Sequence, residues 1–190
     1  MKKLLLSTLL SVAFMTALSN LYASGVTSSG AFTVTATIEP CISLTFSSDG
    51  SGKSLTSGGG SGTAALDFGN IQAYGYTPPT GVTQALVGSG ASATAFTVST
   101  PFDVLVMEAN SASPNYTLTA QLSAPDVSTF DTWSVGGVTV GSVSAAQITA
   151  TGTYASATSY AVLLTVPFAN NASTGLLAVS NTINFVATAN

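Results

Sequence analysis

Few side chains in this chain could take part in catalysis or ligand binding, and most types of reaction would have no general base. Histidine and arginine are absent, and the only cation beyond Lys3 is Lys53. General bases that work near neutral pH, phosphate clamps and nucleic-acid grooves all depend on these residue types. The sequence therefore predicts a protein that is not an enzyme, needs no cofactor and binds no nucleic acid.

Lys53 stands in a run that imitates part of a phosphate-binding loop. Residues 50–54 read Gly-Ser-Gly-Lys-Ser, but the full pattern needs a glycine where Ser47 stands and a helix directly after the loop. No helical periodicity follows. We predict instead that Lys53 belongs to a flexible Ser/Gly-rich loop over residues 47–62.

Carboxylates are the remaining groups with catalytic or ligating capacity. A glycosidase needs only two of them, and Asp126 and Asp131 are close in sequence. Both fall in or beside a loop, where capping of the local backbone is the simpler interpretation. One cysteine without histidine provides no zinc site, and no calcium-loop spacing is visible. We predict no catalytic, cofactor-binding or metal-binding residue.

Cys41 is the only cysteine, so a single chain can form no internal disulfide. The interpretation we favour is a small buried hydrophobe between Pro40 and Ile42. The alternative is an intermolecular disulfide between two copies after export.

Residues 1–23 have the pattern of an export signal. Lys2 and Lys3 precede an apolar run over residues 4–18, and Ala23 provides a small residue at the cleavage position, with 17–19 as a second candidate. A retained membrane anchor is the alternative, but the run is short for a span of ~20 residues and no basic cluster follows it. We expect a secreted, extracellular protein with no membrane segment after cleavage.

Charged residues make up 5% of the chain, against about 25% in typical domains. The polar surface must therefore consist of Ser, Thr, Asn, Gln and Gly. Such a surface has weak long-range repulsion, and its strand edges lack charged gatekeepers, so it favours association with copies of itself. A secreted monomer with a hydroxyl-rich coat is the alternative.

Residues 24–190 read as one domain of roughly nine or ten short strands, because apolar residues alternate with period two almost throughout. Residues 32–38 place Phe32, Val34, Ala36 and Ile38 on one face and threonines on the other, and residues 42–46 continue this phase. Residues 145–150 have the single helical pattern, and it is weak. Residues 160–166 are expected to form a strand that lies centrally, because this is the most continuously apolar run. The other predicted strands are 65–71, 84–87, 95–99, 102–107, 116–122, 133–140 (a hairpin), the region of Ile148, 160–168 and 182–187. This pattern predicts an all-β sandwich or barrel.

The order of the strands resembles that of bacterial exported β-sandwich proteins of the fimbrial and spore-coat-protein-U type, and of related secreted domains with a Leu-x-Phe-Gly motif. The segments that carry the resemblance are 33–38, 66–71, 95–98, 116–120 and 183–189. The resemblance implies an immunoglobulin-like antiparallel sandwich. It also implies, as in the pilins, polymerisation by donation of an N-terminal strand to the next subunit, with residues 24–38 as the donor.

Our leading expectation is a secreted structural subunit that self-assembles into a pilus-like surface filament, with copies of itself as partners. A monomeric adhesin is the alternative. It would bind host or matrix glycans through exposed aromatic side chains such as Tyr74 and Tyr76. We expect Trp133 to pack in the core.

Overall fold

A computed structural model describes residues 32–37, 39–75, 77–109, 111–125, 131–168 and 178–190. Contacts divide the chain into two compact units, Met1–Thr37 and Ile38–Asn190. The second unit contains nine strands in its described part: β1 Cys41–Ser48, β2 Thr83–Val87, β3 Ala95–Ala109, β4 Tyr116–Leu122, β5 Thr132–Val135, β6 Val138–Val140, β7 Ala146–Gly152, β8 Thr158–Pro167 and β9 Ile183–Ala189.

The strands form two antiparallel sheets. The larger sheet has the order β1-β3-β8-β5-β6, with β2 also paired to β3, and the smaller has the order β7-β4-β9. An all-β antiparallel sandwich is therefore confirmed, and β8 is central as predicted. Among the described residues, no helix is long and apolar enough to span a membrane.

Strand β3 runs through two stretches that the sequence predicted as separate strands. It pairs with β8 on one side over residues 95–104, and on its other side with β2 over 95–99 and β1 over 102–109. Pro101, which has no N–H to donate, lies between those two partners. The proline therefore interrupts the pairing on one edge without ending the strand.

Tight turns set the hairpin between β5 and β6. Gly136 and Gly137 both have positive φ, 57° and 82°, as a two-residue primed turn requires. Trp133 then pairs with Val140 and Val135 with Val138, so the predicted hairpin is confirmed. The weak helical pattern over 145–150 is wrong, because this stretch pairs with β4 as part of β7.

The core consists of the inward side chains of both sheets. Val104 and Val106 from β3 are fully buried with Leu118 from β4. A cluster of three aromatic rings joins the sheets, with the Phe185 centroid 5.3 Å from that of Phe46 and 5.9 Å from that of Phe102. Trp133 is buried in this core, as expected.

One glycine is required by the packing of a buried ring. Gly152 pairs with Tyr116 at the end of β7, and the Tyr116 side chain is fully buried. A Cβ atom at position 152 would lie 2.2 Å from Cζ of that ring. Only a residue without a side chain therefore fits against Tyr116.

We expect Gly152→Ala to lower the free energy of unfolding by on the order of 1–3 kcal/mol, because a close-packed core must distort to accept the methyl group. Chemical denaturation measures this. Gly141→Ala is the matched control, since a Cβ there would meet nothing within 4 Å. Equal stability of the two variants would contradict the packing argument.

Candidate functional site: an apolar cleft beside the last strand

A cleft of about 1150 Å³ opens between the inner face of the larger sheet and strand β9. Ile183 and Phe185 line it from β9, and Asp67 is the one charged side chain among the described residues that line it. The larger sheet contributes side chains from β1, β3, β5 and β8: Phe46, Phe96, Val98, Phe102, Trp133, Val162, Leu164 and Val166.

The strand register explains why these side chains share one face. Val98 on β3 pairs with Leu164 on β8, which pairs in turn with Trp133 on β5. Directly opposite residues in an antiparallel pair point to the same side of the sheet. One row across three strands therefore presents a continuous apolar floor. A parallel row joins Phe96 to Val166.

Residues 64–73, which we call the wall segment, all contribute to the lining of the cleft. Leu66 and Phe68 are half-buried against the core, whereas Asp67 is exposed. The prediction of a strand over 65–71 is wrong, since the pairing here is one isolated bridge at Ala65. Asp67 Oδ1 accepts a hydrogen bond of 2.7 Å from the Gly69 N–H, and Gly69 has φ +79°, so the extended run turns there.

Hydrogen bonds hold the wall segment near both ends. The Thr56 N–H donates to the Ala65 carbonyl at 2.8 Å. The Gln84 side-chain amide donates to the carbonyl oxygens of Gln72 at 2.6 Å and Ala73 at 3.3 Å. Between these ends, burial of alternate side chains is the main contact with the rest of the fold.

The predicted donor residues that the structure describes are exposed. Phe32 is 91% and Val34 is 76% exposed, and Ala36 is also exposed. Residues 32–37 form no strand, so the prediction of a strand that begins at Phe32 is wrong for these residues. A strand forms only where a neighbour can pair with its backbone. Ile38 lies outside the described residues.

The two tyrosines proposed for glycan contact are not both described. Tyr74 is 57% exposed, and its ring lies 5.9 Å from that of Phe168, which stacks at 6.0 Å on Phe96. Tyr76 lies outside the described residues. This aromatic row could not be foreseen from the sequence, because its members come from distant segments.

Cys41 is exposed, so the interpretation as a buried hydrophobe is wrong. Side chains alternate along β1, and Ile42, Leu44 and Phe46 take the inward positions. Cys41 and Ser43 must then face outward. An intermolecular disulfide through Cys41 stays a prediction.

The loop that carries Lys53 begins at residue 49, because Ser47 and Ser48 extend β1. The Lys53 N–H donates a 2.7 Å hydrogen bond to Thr100 Oγ1, and that hydroxyl donates at 2.7 Å to the Gly81 carbonyl. Thr100 is 1% exposed. This junction fixes the loop beside β3. The first helix after Lys53 in the described chain is the short 3-10 helix Gly90–Ser92, which lies beyond β2, so no helix comes directly after the loop.

Two carboxylates that the sequence did not pair approach each other beside β8. Asp49 accepts hydrogen bonds from Ser159 Oγ at 2.6 Å and from the hydroxyl and N–H of Ser51 at 2.6 and 2.7 Å. These bonds, the one from Ser159 first, lower the pKa of Asp49 to about 2. Burial, and then the negative charge of Asp49, raise the pKa of Asp103.

The structure does not test the pairing of Asp126 with Asp131, because Asp126 lies outside the described residues. Asp131 is buried. In the described ranges, no group of three or more His, Cys, Asp or Glu side chains could hold a metal ion.

No model of a protein family matches the chain, and a comparison with curated proteins found no match.

We expect Ser159→Ala to raise the pKa of Asp49 from about 2 toward its ordinary 3.8, because the first cause of the lowering is removed. A carboxyl group whose pKa is lower in the folded state stabilises the fold at pH values above its pKa in the unfolded chain. It loses that effect as the pH falls through its pKa in the folded state. Asp49 should therefore contribute to stability above about pH 4 and lose its contribution toward pH 2.

Carboxyl ¹³C NMR titration measures this shift. Ser43→Ala is the matched control, since Ser43 is exposed on β1 and makes no contact that lowers the pKa of Asp49. An unchanged pKa of Asp49 in the Ser159→Ala variant would show that the hydrogen bond from Ser159 does not lower it.

Proposed function

We propose that this protein is a secreted structural subunit that assembles into a pilus-like or surface filament by donor-strand complementation. Residues 24–38 of one copy would dock in the cleft of the next. The proposal rests chiefly on one observation. An apolar cleft borders a strand edge, and the same chain carries an exposed segment of alternating apolar and polar residues that could fill the cleft and pair with the edge.

The edge of β9 is the backbone part of this site. In the described chain, β9 pairs with β4 along one side, and no strand pairs with its other side. An unpaired edge presents N–H and C=O groups that an extended peptide can use. A strand added there would extend the smaller sheet from three strands to four.

The length of the cleft floor suits the donor segment. The lining residues of β3 extend from Phe96 to Phe102, which is about 20 Å at the strand rise of roughly 3.3 Å per residue. Phe32 to Ile38 spans the same number of residues. The four apolar side chains of one donor face would then lie against an apolar floor.

Burial of the donor supplies free energy for assembly. Phe32 and Val34 are large apolar side chains in contact with water, and full burial of each contributes roughly 1.5–3 kcal/mol. Their threonine neighbours would face solvent, as the threonines of β4 do. Few charges oppose close approach, since the chain beyond Lys3 has seven carboxylates and one lysine.

We expect mature protein to form ordered fibres in negative-stain electron microscopy and Val34→Asp to prevent them, because the substitution places a charge in the cleft. Thr35→Asp is the matched control. It adds the same charge to the solvent face of the donor, so its fibres should persist. Deletion of residues 24–38 should also prevent assembly.

Circular dichroism would establish that each variant is folded. Wild-type protein that elutes as a monomer at high concentration would contradict the proposal. Fibres formed equally well by Val34→Asp would also contradict it.

A monomeric glycan-binding adhesin is a second candidate, and the observation in its favour is the exposed Tyr74 ring supported by Phe168. A rigid aromatic face can pack against a sugar ring. Glycan-array binding by the monomer, lost in Tyr74→Ala and kept in Val34→Asp, is the result expected of an adhesin. No binding to the array would remove this candidate.

A further inference from the structure

The wall segment has the side-chain pattern of a strand but lacks the backbone partners of one. Leu66 and Phe68 are half-buried against the core, and Asp67 between them is exposed. The backbone N–H and C=O groups of Leu66 and Phe68 form no hydrogen bond with any residue that the structure describes. This stretch therefore has the inward and outward faces of a strand and an edge that is not used.

The free edge of β9 and the wall segment lie on the same side of the sandwich. The outer strands of the larger sheet are β1 and β6, and β9 contacts β1 whereas β7 contacts β6. The edge of β9 that faces away from β4 is therefore on the β1 side. Just before the wall segment, Ser61 bridges to Phe46 of β1. Gln84 of β2, which pairs with the same edge of β3 as β1 does, holds the far end of the segment.

The bridge at Ala65 decides where the backbone of the wall segment points. Ala65 uses both of its backbone groups on one neighbour, since its carbonyl accepts from Thr56 and its N–H donates to the Ser57 carbonyl at 3.1 Å. In an extended chain, the backbone groups of successive residues point to opposite edges. Leu66 and Phe68 therefore direct theirs away from residues 56–57.

The backbone of the wall segment also borders the cleft. Gly69 is exposed and lines the cleft, and a glycine can line a cleft only with main-chain atoms. The positive φ of Gly69 ends the extended run. The part of the wall segment that can act as a strand is thus short and ends at Phe68.

We infer that the docked donor strand pairs along both of its edges, with β9 on one side and with Leu66 and Phe68 on the other. This inference rests on the proposed function. A strand whose side chains face the floor directs its N–H and C=O groups sideways, and β9 takes the groups of one edge only. The wall segment lies on the same side of the sandwich and has the unused edge that can take the others.

Pairing on both edges makes the donor an inner strand, and this sets a requirement on its sequence. Proline cannot donate a hydrogen bond and is confined to edge strands, strand ends and bulges. Residues 24–38 contain no proline, and the first proline of the chain is Pro40, just beyond the alternating run. The wall segment in turn becomes a strand only when the donor arrives.

Donor peptides with one backbone ester test the two edges separately, because an ester has no N–H and adds no bulk. Residues that share a face of a strand also share an edge, so the apolar residues and the threonines of the donor point their N–H groups to opposite edges. Three peptides of residues 24–38 carry an ester in place of the N–H of Val34, of Thr35, or of Ser28. Ser28 precedes the alternating run and is the matched control. The receptor is the full mature chain with Val34→Asp, whose own donor cannot dock.

We expect the Val34 and Thr35 esters each to bind about three- to tenfold more weakly than the all-amide peptide, the usual effect of one hydrogen bond. The Ser28 ester should bind as the all-amide peptide does. Fluorescence of Trp133 reports binding, because the chain has one tryptophan and it lines the cleft. In hydrogen exchange followed by NMR, the amides of Leu66 and Phe68 should exchange fast in the free receptor and become protected in the complex.

Weaker binding of only one of these two esters would overturn the inference and leave the proposed function intact, since the donor would then pair with β9 alone. Fast exchange that persists at Leu66 and Phe68 in the complex would do the same. Failure of the all-amide peptide to bind would overturn both.

Discussion

The continuous pairing of β3 is the constraint on which the rest of the structure depends. This fifteen-residue strand pairs with β8 along one edge and with β1 and β2 in turn along the other. Its alternation therefore decides which side chains of three neighbours face inward, since a shift of one residue would reverse every face. The core, the floor of the cleft and the position of the Lys53 loop all follow from this one register.

Local patterns predicted the strands well where neighbours in sequence are also neighbours in space. The strand 116–122 has the predicted bounds, and the hairpin at Gly136 and Gly137 follows from two residues that accept positive φ. The most continuously apolar run, 160–166, also predicted correctly that β8 lies in the middle of its sheet. These features depend on a few adjacent residues, which a single sequence contains.

The remainder depends on pairings between distant segments, which periodicity does not specify. The sequence showed alternation at 65–71 but not that Asp67 would bind the Gly69 N–H and turn the chain. It suggested a break at Pro101, whereas the structure has a change of partner on one edge only. The cleft could not be predicted at all, because Val98, Leu164 and Trp133 come together only through the strand order of the larger sheet.

The eight residue pairs between β1 and β3 have a mechanical consequence. The chain enters the sandwich at Cys41, the first residue of β1, which pairs with Ala109 at the end of β3. Tension applied through the preceding residues along the axis of β1 would load this ladder in shear. All the hydrogen bonds of the ladder would then share the force, and none would open singly. A force applied in this way would therefore meet more resistance than one that opened the same ladder from its end.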